Sequence, residues 1–234
     1  MIHVVTHAQR ALYADQLTAM HRMRREVFVE TRGWKLDVRE DGGEYDRGDD
    51  DKAIYFMMLD RSGGLQVSVR VRPVTDWSIL LDEMPGCVEG DLRRLRRPDV
   101  WEMARHLAGR QGRSVGEAKR RAGEFRVAML EAALDRGVTK LIGSVDVGLL
   151  AYGIRAWLDL KPIGLPVVYP EGGAAVGYEI PVSEDLIERL RRAYGLARRS
   201  AFEVKPGDAA PFTSPAGLEA AWRGPAAYGQ AAHA

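Results

Sequence analysis

The chain has 234 residues, of which 46% are hydrophobic and 29% charged, so it can bury a substantial core, and neither wholesale disorder nor a membrane-embedded protein fits. Lys and Arg number 34 against 33 Asp and Glu, a formal charge of +1, so the bulk charge calls for neither nucleic acid nor an acidic membrane as partner. A single cysteine, Cys87, excludes an intrachain disulfide. No apolar run approaches the ~20 residues of a membrane span, and the start of the chain lacks the basic and apolar stretches of a secretory leader. The expectation is a cytoplasmic protein.

In chain order, Tyr13, Leu17, Met20, Met23 and Val27 recur at steps of three and four, which predicts an amphipathic helix over 12–28 with Arg24 and Phe28 one turn apart on its flank. An acidic, Gly-containing stretch over 37–52 follows, read as a loop or loosely ordered lid. The apolar run 53–59 reads as a buried strand, and 61–64 as a hairpin turn. Beyond it Leu65, Val67, Val69 and Val71 alternate with Gln66, Ser68, Arg70 and Arg72, so Arg70 points away from the valine face. A connection through Leu80, Leu81 and Met84 leads to a strand over 100–108. A helix over 116–134 with Gly137 just past its end, a strand over 141–145, a short helix over 147–156 and strands over 157–163 and 174–182 come next. Ser183 caps a last helix over 184–194.

Hairpins mixed with helices, rather than strict βαβ alternation, favour an α/β domain with a mixed sheet. The expected organisation is one domain over 1–204 and an Ala/Gly/Pro-rich, loosely ordered tail over 205–234.

Several groupings point to chemistry. Glu44, Asp46 and Asp49 place three carboxylates in six residues, and Arg24, Arg70 and Arg105 are embedded in elements that otherwise read as structural. Such a cluster ordinarily faces water, yet an arginine in a strand of valines needs a partner, because burying an unpaired charge is costly. Phe28 and Trp34 read as core aromatics or as a wall for a cationic ligand. Glu102 and Arg105 lie three apart on one strand, hence on opposite faces unless a bulge intervenes. Arg113, Gly116 and Ala118, between a strand and a helix, fit the phosphate-binding pattern of acyl-CoA-dependent N-acetyltransferases, with helix-start amides free to receive phosphate. The five histidines show no metal-ligand spacing, and neither a Gly-x-Ser-x-Gly nor a Walker pattern occurs. Aromatic platforms interleaved with basic residues, as in a nucleic-acid binder, are also missing.

Taken together and in order, Arg24 with Phe28, Gly33-Trp34, Glu44 with Asp46 and Asp49, Val69-Arg70 with Pro73, Trp101-Glu102 with Arg105, and the later Pro162-Ile163-Gly164 resemble the acyl-homoserine lactone synthases, the autoinducer synthases of bacterial quorum sensing. The resemblance covers roughly residues 1–195. It implies a mainly antiparallel, twisted sheet flanked by helices, similar to the N-acetyltransferase (GNAT-like) fold. It also implies a reaction of S-adenosylmethionine with an acyl thioester carried on acyl-carrier protein or CoA, with no prosthetic group and no metal. On this reading Arg24 and Arg105 meet the carboxylate end of S-adenosylmethionine, Asp46 and Asp49 its amine end, and Phe28 and Trp34 line the pocket, while Glu44 and Arg70 form the supporting network. Glu102 is the candidate general base. Met84, Trp101, Met103 and Ile142 are candidate acyl-pocket residues, and Arg113, Gly116 and Ala118 candidate contacts of the donor's phosphate. Met84, Ala104 and His106 stand where the family usually carries other residues, which bears on the shape of the acyl pocket, and the Ile142-Gly143 pair stands where some members with 3-oxo-acyl products carry a threonine, which argues against a 3-oxo product. Two alternatives stay open: an acyl-CoA-dependent N-acyltransferase of another amine, and a non-catalytic small-molecule-binding domain on the same scaffold.

Overall fold

The computed structural model describes residues 2–60, 63–108, 114–170 and 172–204; Arg61, Ser62, Arg113 and the tail over 205–234, with the expectations placed on them, lie outside the described residues. One nine-stranded sheet organises the chain. Its strands are β1 (Ile2–Val5), β2 (Ile54–Leu59), β3 (Leu65–Pro73), β4 (Val100–Ala108), β5 (Lys140–Asp146), β6 (Lys161–Pro162), β7 (Val167–Tyr169), β8 (Gly173–Pro181) and β9 (Ala201–Phe202). They run in the order β6-β8-β5-β4-β3-β2-β1-β9, with β7 also on β8. The β1-β2, β2-β3, β3-β4 and β5-β8 pairs are antiparallel, whereas β4-β5 and β1-β9 are parallel.

Among the described residues, four α-helices cover this sheet: α1 (Ala14–Arg24), α2 (Val115–Leu134), α3 (Val147–Trp157) and α4 (Glu184–Tyr194). The main core fills the face beneath α2 and α4, where Val69 and Val71 of β3 meet Phe125, Met129, Trp157 and Leu190. On the other face, Tyr55 and Met57 of β2 pack against Met20 and Phe28. Farther along that face, the connection through Leu80, Leu81 and Leu95 closes over Val100 and Ile142. The period-two alternation of β3 thus divides the valines from Ser68, Arg70 and Arg72, all buried on the opposite face.

The expected helix over 12–28 is longer and changes pitch: a 3-10 turn (His7–Tyr13) leads into α1, and π-helical turns (Arg25–Thr31) continue it. The wider winding ends with Trp34 N donating to Phe28 O at 2.9 Å. The strand expected over 157–163 is corrected. Trp157 closes α3, Leu158 reverses the chain at φ +66°, and only Lys161–Pro162 pairs with β8. β1, β7 and β9 carried no expectation, being too short for alternation to show. The cap of α4 is as expected, with Ser183 Oγ accepting from Leu186 N at 3.2 Å, and Gly137 takes the left-handed φ +71° that ends the turn after α2. Among the described residues no helix is long and apolar enough to cross a membrane.

Candidate active site

The acidic stretch is not a solvated lid. Glu44 is fully buried, anchored through its backbone: Glu44 N donates to His21 O at 3.0 Å and Glu44 O meets His21 Nδ1 at 2.8 Å. Its carboxylate accepts from Arg24 Nε, and Arg24 spends its other two nitrogens on Asp49, at 2.7 and 2.9 Å. Arg70, projecting from the polar face of β3, forks onto Asp46, with Nη2 to Oδ2 at 3.0 Å, and reaches Asp49 at 3.0 Å. Arg105 completes the cluster: its Nη2 lies 3.0 Å from Glu44 Oε1 and 2.9 Å from Asp46 Oδ2. Three guanidinium groups and three carboxylates therefore neutralise one another in a largely dry space, where each charge depends on its partners. Tyr55 OH donates to Asp49 at 2.9 Å, and Asp46 N donates to the same carboxylate at 2.8 Å.

The electrostatics follow from this packing. Burial alone would raise the proton affinity of Asp49 and Asp46; Arg24 and Arg70 beside Asp49, and Arg70 and Arg105 beside Asp46, outweigh it and hold both carboxyls below the usual range. Both are carboxylates at neutral pH.

Arg105 reaches the cluster because β4 is bulged. Arg70 pairs with Ala104, yet Ser68 pairs with Leu107, so β4 carries one extra residue in that interval. Arg105 itself sits at φ +56°, a left-handed conformation unusual for a long side chain. The extra residue turns its guanidinium to the face of Glu102 and Arg70 instead of the opposite one.

A cavity of about 390 Å³ opens against this network, lined among others by Leu36, Glu44, Asp46, Glu83 and Arg105. Of the network, Arg105 and Asp46 retain 10% and 15% side-chain exposure, whereas Arg24 has none and Asp49 has 3%. Arg24 and Asp49 thus stand behind the groups that face the cavity. Phe28 and Trp34 stack face to face, centroids 5.2 Å apart, and Arg105 lies over the Phe28 ring at 5.6 Å. Glu83 escaped the sequence reading, since one carboxylate in a connecting segment carries no periodic or motif signal. Burial, with the Asp46 charge nearby, pushes its carboxyl up.

Glu102 occupies a different place. Its carboxylate accepts from Ile79 N at 2.9 Å and Leu80 N at 2.7 Å, pinning the π-helical turn (Ile79–Glu83) that carries Glu83. Burial raises its proton affinity, and these hydrogen bonds only partly offset that. Glu102 is also the last residue of β4 paired to β5, opposite Ile142; beyond it the two parallel strands have no further paired residues and a notch opens. Gly143 lines its apex, where a Cβ would stand 2.7 Å from Met103 O and 2.6 Å from the Tyr178 hydroxyl.

The four candidate acyl-pocket residues are divided between the two faces of the sheet. Met84 and Ile142 belong with the cluster over Val100, and Ser144 Oγ approaches Met84 Sδ at 3.7 Å; Trp101 and Met103 pack on the main core beneath α2. Gly116 and Ala118 are exposed on the first turn of α2, which Ser114 caps by accepting from Glu117 N at 3.3 Å. Nothing crowds Gly116 within 4 Å.

A sheet whose parallel pair separates midway, beside a polar cavity backed by paired arginines and carboxylates, defines an acyltransferase-like architecture. The model of the autoinducer synthase family matches residues 8–190, and the chain belongs to that family. It is 28% identical over 176 residues to the isovaleryl-homoserine lactone synthase of Bradyrhizobium diazoefficiens, covering 72% of this chain and 74% of the relative. An acyl-homoserine-lactone synthase of Rhizobium etli is 29% identical over 155 residues, 66% of this chain and 71% of the relative. Among solved structures, the CoA-dependent acyl-homoserine lactone synthase MesI superposes with TM-score 0.73 at 26% identity, covering 86% of this chain and 98% of MesI. The fold alone is shared with a Lactobacillus plantarum protein assigned as an N-acetyltransferase, at TM-score 0.52 and 17% identity over 78% of this chain and 99% of that one.

Proposed function

We propose that this chain is an acyl-homoserine lactone synthase that joins an acyl thioester to S-adenosylmethionine and releases methylthioadenosine. The observation that carries the reading is the juxtaposition, on one bulged strand, of the cavity lined by Asp46, Glu83 and Arg105 with the notch that opens at Glu102. One compartment suits an amino acid carrying both charges, the other a thioester arm.

Arg105, its Nε and Nη2 held by Glu44 and Asp46, turns Nη1 to the methionyl carboxylate, and Asp46 with Glu83 receives the amine. Phe28 and Trp34, stacked on each other beneath Arg105, back that side of the pocket. Arg24, Asp49, Glu44 and Arg70 hold those groups from behind. The acyl donor enters the notch with its phosphate at the start of α2. The similarity to CoA-dependent MesI makes CoA the first carrier to test, and acyl-carrier protein brings the same phosphopantetheine arm.

Only a neutral amine attacks a carbonyl, so its proton must leave first. Glu102, at the apex of the notch with a raised proton affinity, takes it directly or through one water. The amine nitrogen bonds to the thioester carbon and gives up a second proton, and the tetrahedral intermediate collapses by expelling the thiolate, which leaves as thiol with one of the two protons while the other passes to solvent. The methionyl carboxylate then attacks its own γ-carbon. The C–S bond breaks, its electrons neutralise the sulfonium, and methylthioadenosine departs as the five-membered lactone closes. Orientation suffices for that step, because the sulfonium is already an excellent leaving group.

The test is mass spectrometry of reactions containing purified protein, S-adenosylmethionine and a panel of acyl-CoA and acyl-carrier-protein donors, with Glu102→Gln as control. Acyl-homoserine lactone and methylthioadenosine in equal amounts from the wild type, and neither from the control, establish the reaction. Acylation of some other amine without methylthioadenosine would assign the protein to the general N-acyltransferases instead.

A further inference from the structure

Arg126, in the middle of α2, is 8% exposed and has no carboxylate partner among the described residues. Its Nη2 donates to the Tyr152 hydroxyl at 3.0 Å, while Nε and Nη1, both buried, meet no acceptor. Three rings surround the guanidinium: Tyr152 and Trp157 of α3, each at 5.6 Å, and Tyr194 of α4 at 5.8 Å. The π faces offset part of the cost of burying the charge, but ring faces do not substitute for hydrogen-bond acceptors on two N–H groups. The buried Arg24, Arg70 and Arg72 are all paired with carboxylates; Arg126 is held by three rings and one hydroxyl.

Its position explains what is missing. α2 follows β4 and α3 follows β5, the two strands that separate beyond Glu102 and Ile142, and Arg126 bridges their helices. Phe125, the preceding residue, meets the His106 ring of β4 at 6.0 Å, on the strand that forms one wall of the notch. Met129, one turn further along α2, is buried in the core that Met103 and Trp101 join. Gly116 and Arg126 are ten residues apart, about 15 Å along the helix axis.

We propose that Arg126, walled by Tyr152, Trp157 and Tyr194, is the acyl-recognition group of this enzyme, and that it selects acyl chains bearing a hydrogen-bond-accepting oxygen, a ketone, hydroxyl or carboxylate, over plain alkyl chains. The inference rests on the acyltransferase reading above and deepens it. An oxygen placed between the rings satisfies the idle donors; an alkyl chain of equal length leaves them buried and unpaired, a difference that hydrogen bonds to charged groups translate into about tenfold or more in affinity.

The experiment compares three six-carbon donors, hexanoyl-, 3-oxohexanoyl- and adipoyl-, each on CoA and on acyl-carrier protein. Binding is measured by titration calorimetry without S-adenosylmethionine, and turnover separately as methylthioadenosine release. The wild type is expected to bind at least one oxygen-bearing chain about tenfold more tightly than hexanoyl on the same carrier, and Arg126→Met to bring that ratio to about one. Tyr152→Phe, at a half-exposed position, removes only the hydroxyl that orients the guanidinium and is expected to shrink the ratio without abolishing it, which keeps the test open should Arg126→Met fail to fold. Equal affinities in the wild type, or a preference that survives Arg126→Met, overturn the inference. Methylthioadenosine release with equal affinities overturns it while sparing the synthase reading; discriminating binding with no methylthioadenosine from any donor supports it and overturns that reading.

Discussion

Arg105 Nη2 lies 3.0 Å from Glu44 Oε1, although simple alternation along β4 would turn Arg105 to the face opposite Glu102. One extra residue in β4 and a left-handed backbone at φ +56° bring it across. The sheet therefore accepts a local backbone cost to place one guanidinium both on the buried carboxylates and at the cavity wall. Arg105→Lys, whose single ammonium cannot hold Glu44 and Asp46 and also face the cavity as the guanidinium does, is expected to raise KM for S-adenosylmethionine by about tenfold. Arg105→Gly is expected to be more stable than Arg105→Ala by about 1 kcal/mol, because glycine alone adopts that φ without penalty. Steady-state kinetics and denaturant melts check the two halves.

Arg24 shows no exposure and ties Glu44 to Asp49. Replacing it by Met leaves Glu44 with Arg105 and Asp49 with Arg70 as their cationic partners and one buried negative charge in excess, and breaking a buried pair in this way costs about 3–5 kcal/mol. Thermal unfolding of Arg24→Met should show that loss even in the absence of substrate. A near-unchanged melting temperature together with lost substrate affinity would instead identify Arg24 as a direct ligand contact.

Two carboxyls with raised proton affinity, Glu102 and Glu83, compete for the role of base. Glu102→Gln keeps an acceptor for only one of the amides of Ile79 and Leu80 and turns an NH2 towards the other, so the turn should lose some stability while kcat falls by about 10²–10⁴-fold. Glu83→Gln is expected to raise KM for S-adenosylmethionine a few-fold with kcat little changed. The reverse pattern would move the base to Glu83.

Gly143 has no room for a Cβ: the atom would stand 2.7 Å from Met103 O, which is backbone and cannot swing aside. Gly143→Ala should spread β4 from β5 at the apex of the notch. The expected readout is a raised KM for the acyl donor with affinity for S-adenosylmethionine retained, accompanied by a loss of stability of about 1–3 kcal/mol from overpacking.

His3 lies buried in β1, its Nδ1 2.9 Å from the Tyr13 hydroxyl, and burial pushes its pKa from 6.5 down to about 3. The folded imidazole stays neutral where the unfolded one takes a proton, so the unfolded state binds more protons between those values. Stability is therefore undiminished above pH 6.5 and falls as pH drops towards 3, by about 1.4 kcal/mol per pH unit once below the unfolded pKa. His3→Phe, which cannot titrate, should flatten the pH dependence of unfolding between pH 4 and 6.5. Identical slopes in the two proteins would show that the imidazole charges in both states alike.

Residue pattern by itself determined the α/β class, the alternation that buries Val69 and Val71 against the helices while turning Arg70 the other way, the Ser183 cap and the ordered set of charged and aromatic residues that marks the family. Those features are local: periodicity, capping chemistry and spacing act over a few residues. The tertiary structure alone decided which charges are paired and which are idle. Glu44 looks like part of a solvated acidic stretch until Arg24, from a helix 20 residues earlier, and Arg105, from a strand 61 residues later, close on it. The separation of Arg24 and Asp49 from the cavity, the pinning of Glu102 by the amides of Ile79 and Leu80, and the unpaired Arg126 among three rings arise in the same way. Electrostatic partnership and burial depend on distance in space, and no local pattern in the chain encodes which segments the sheet will bring together.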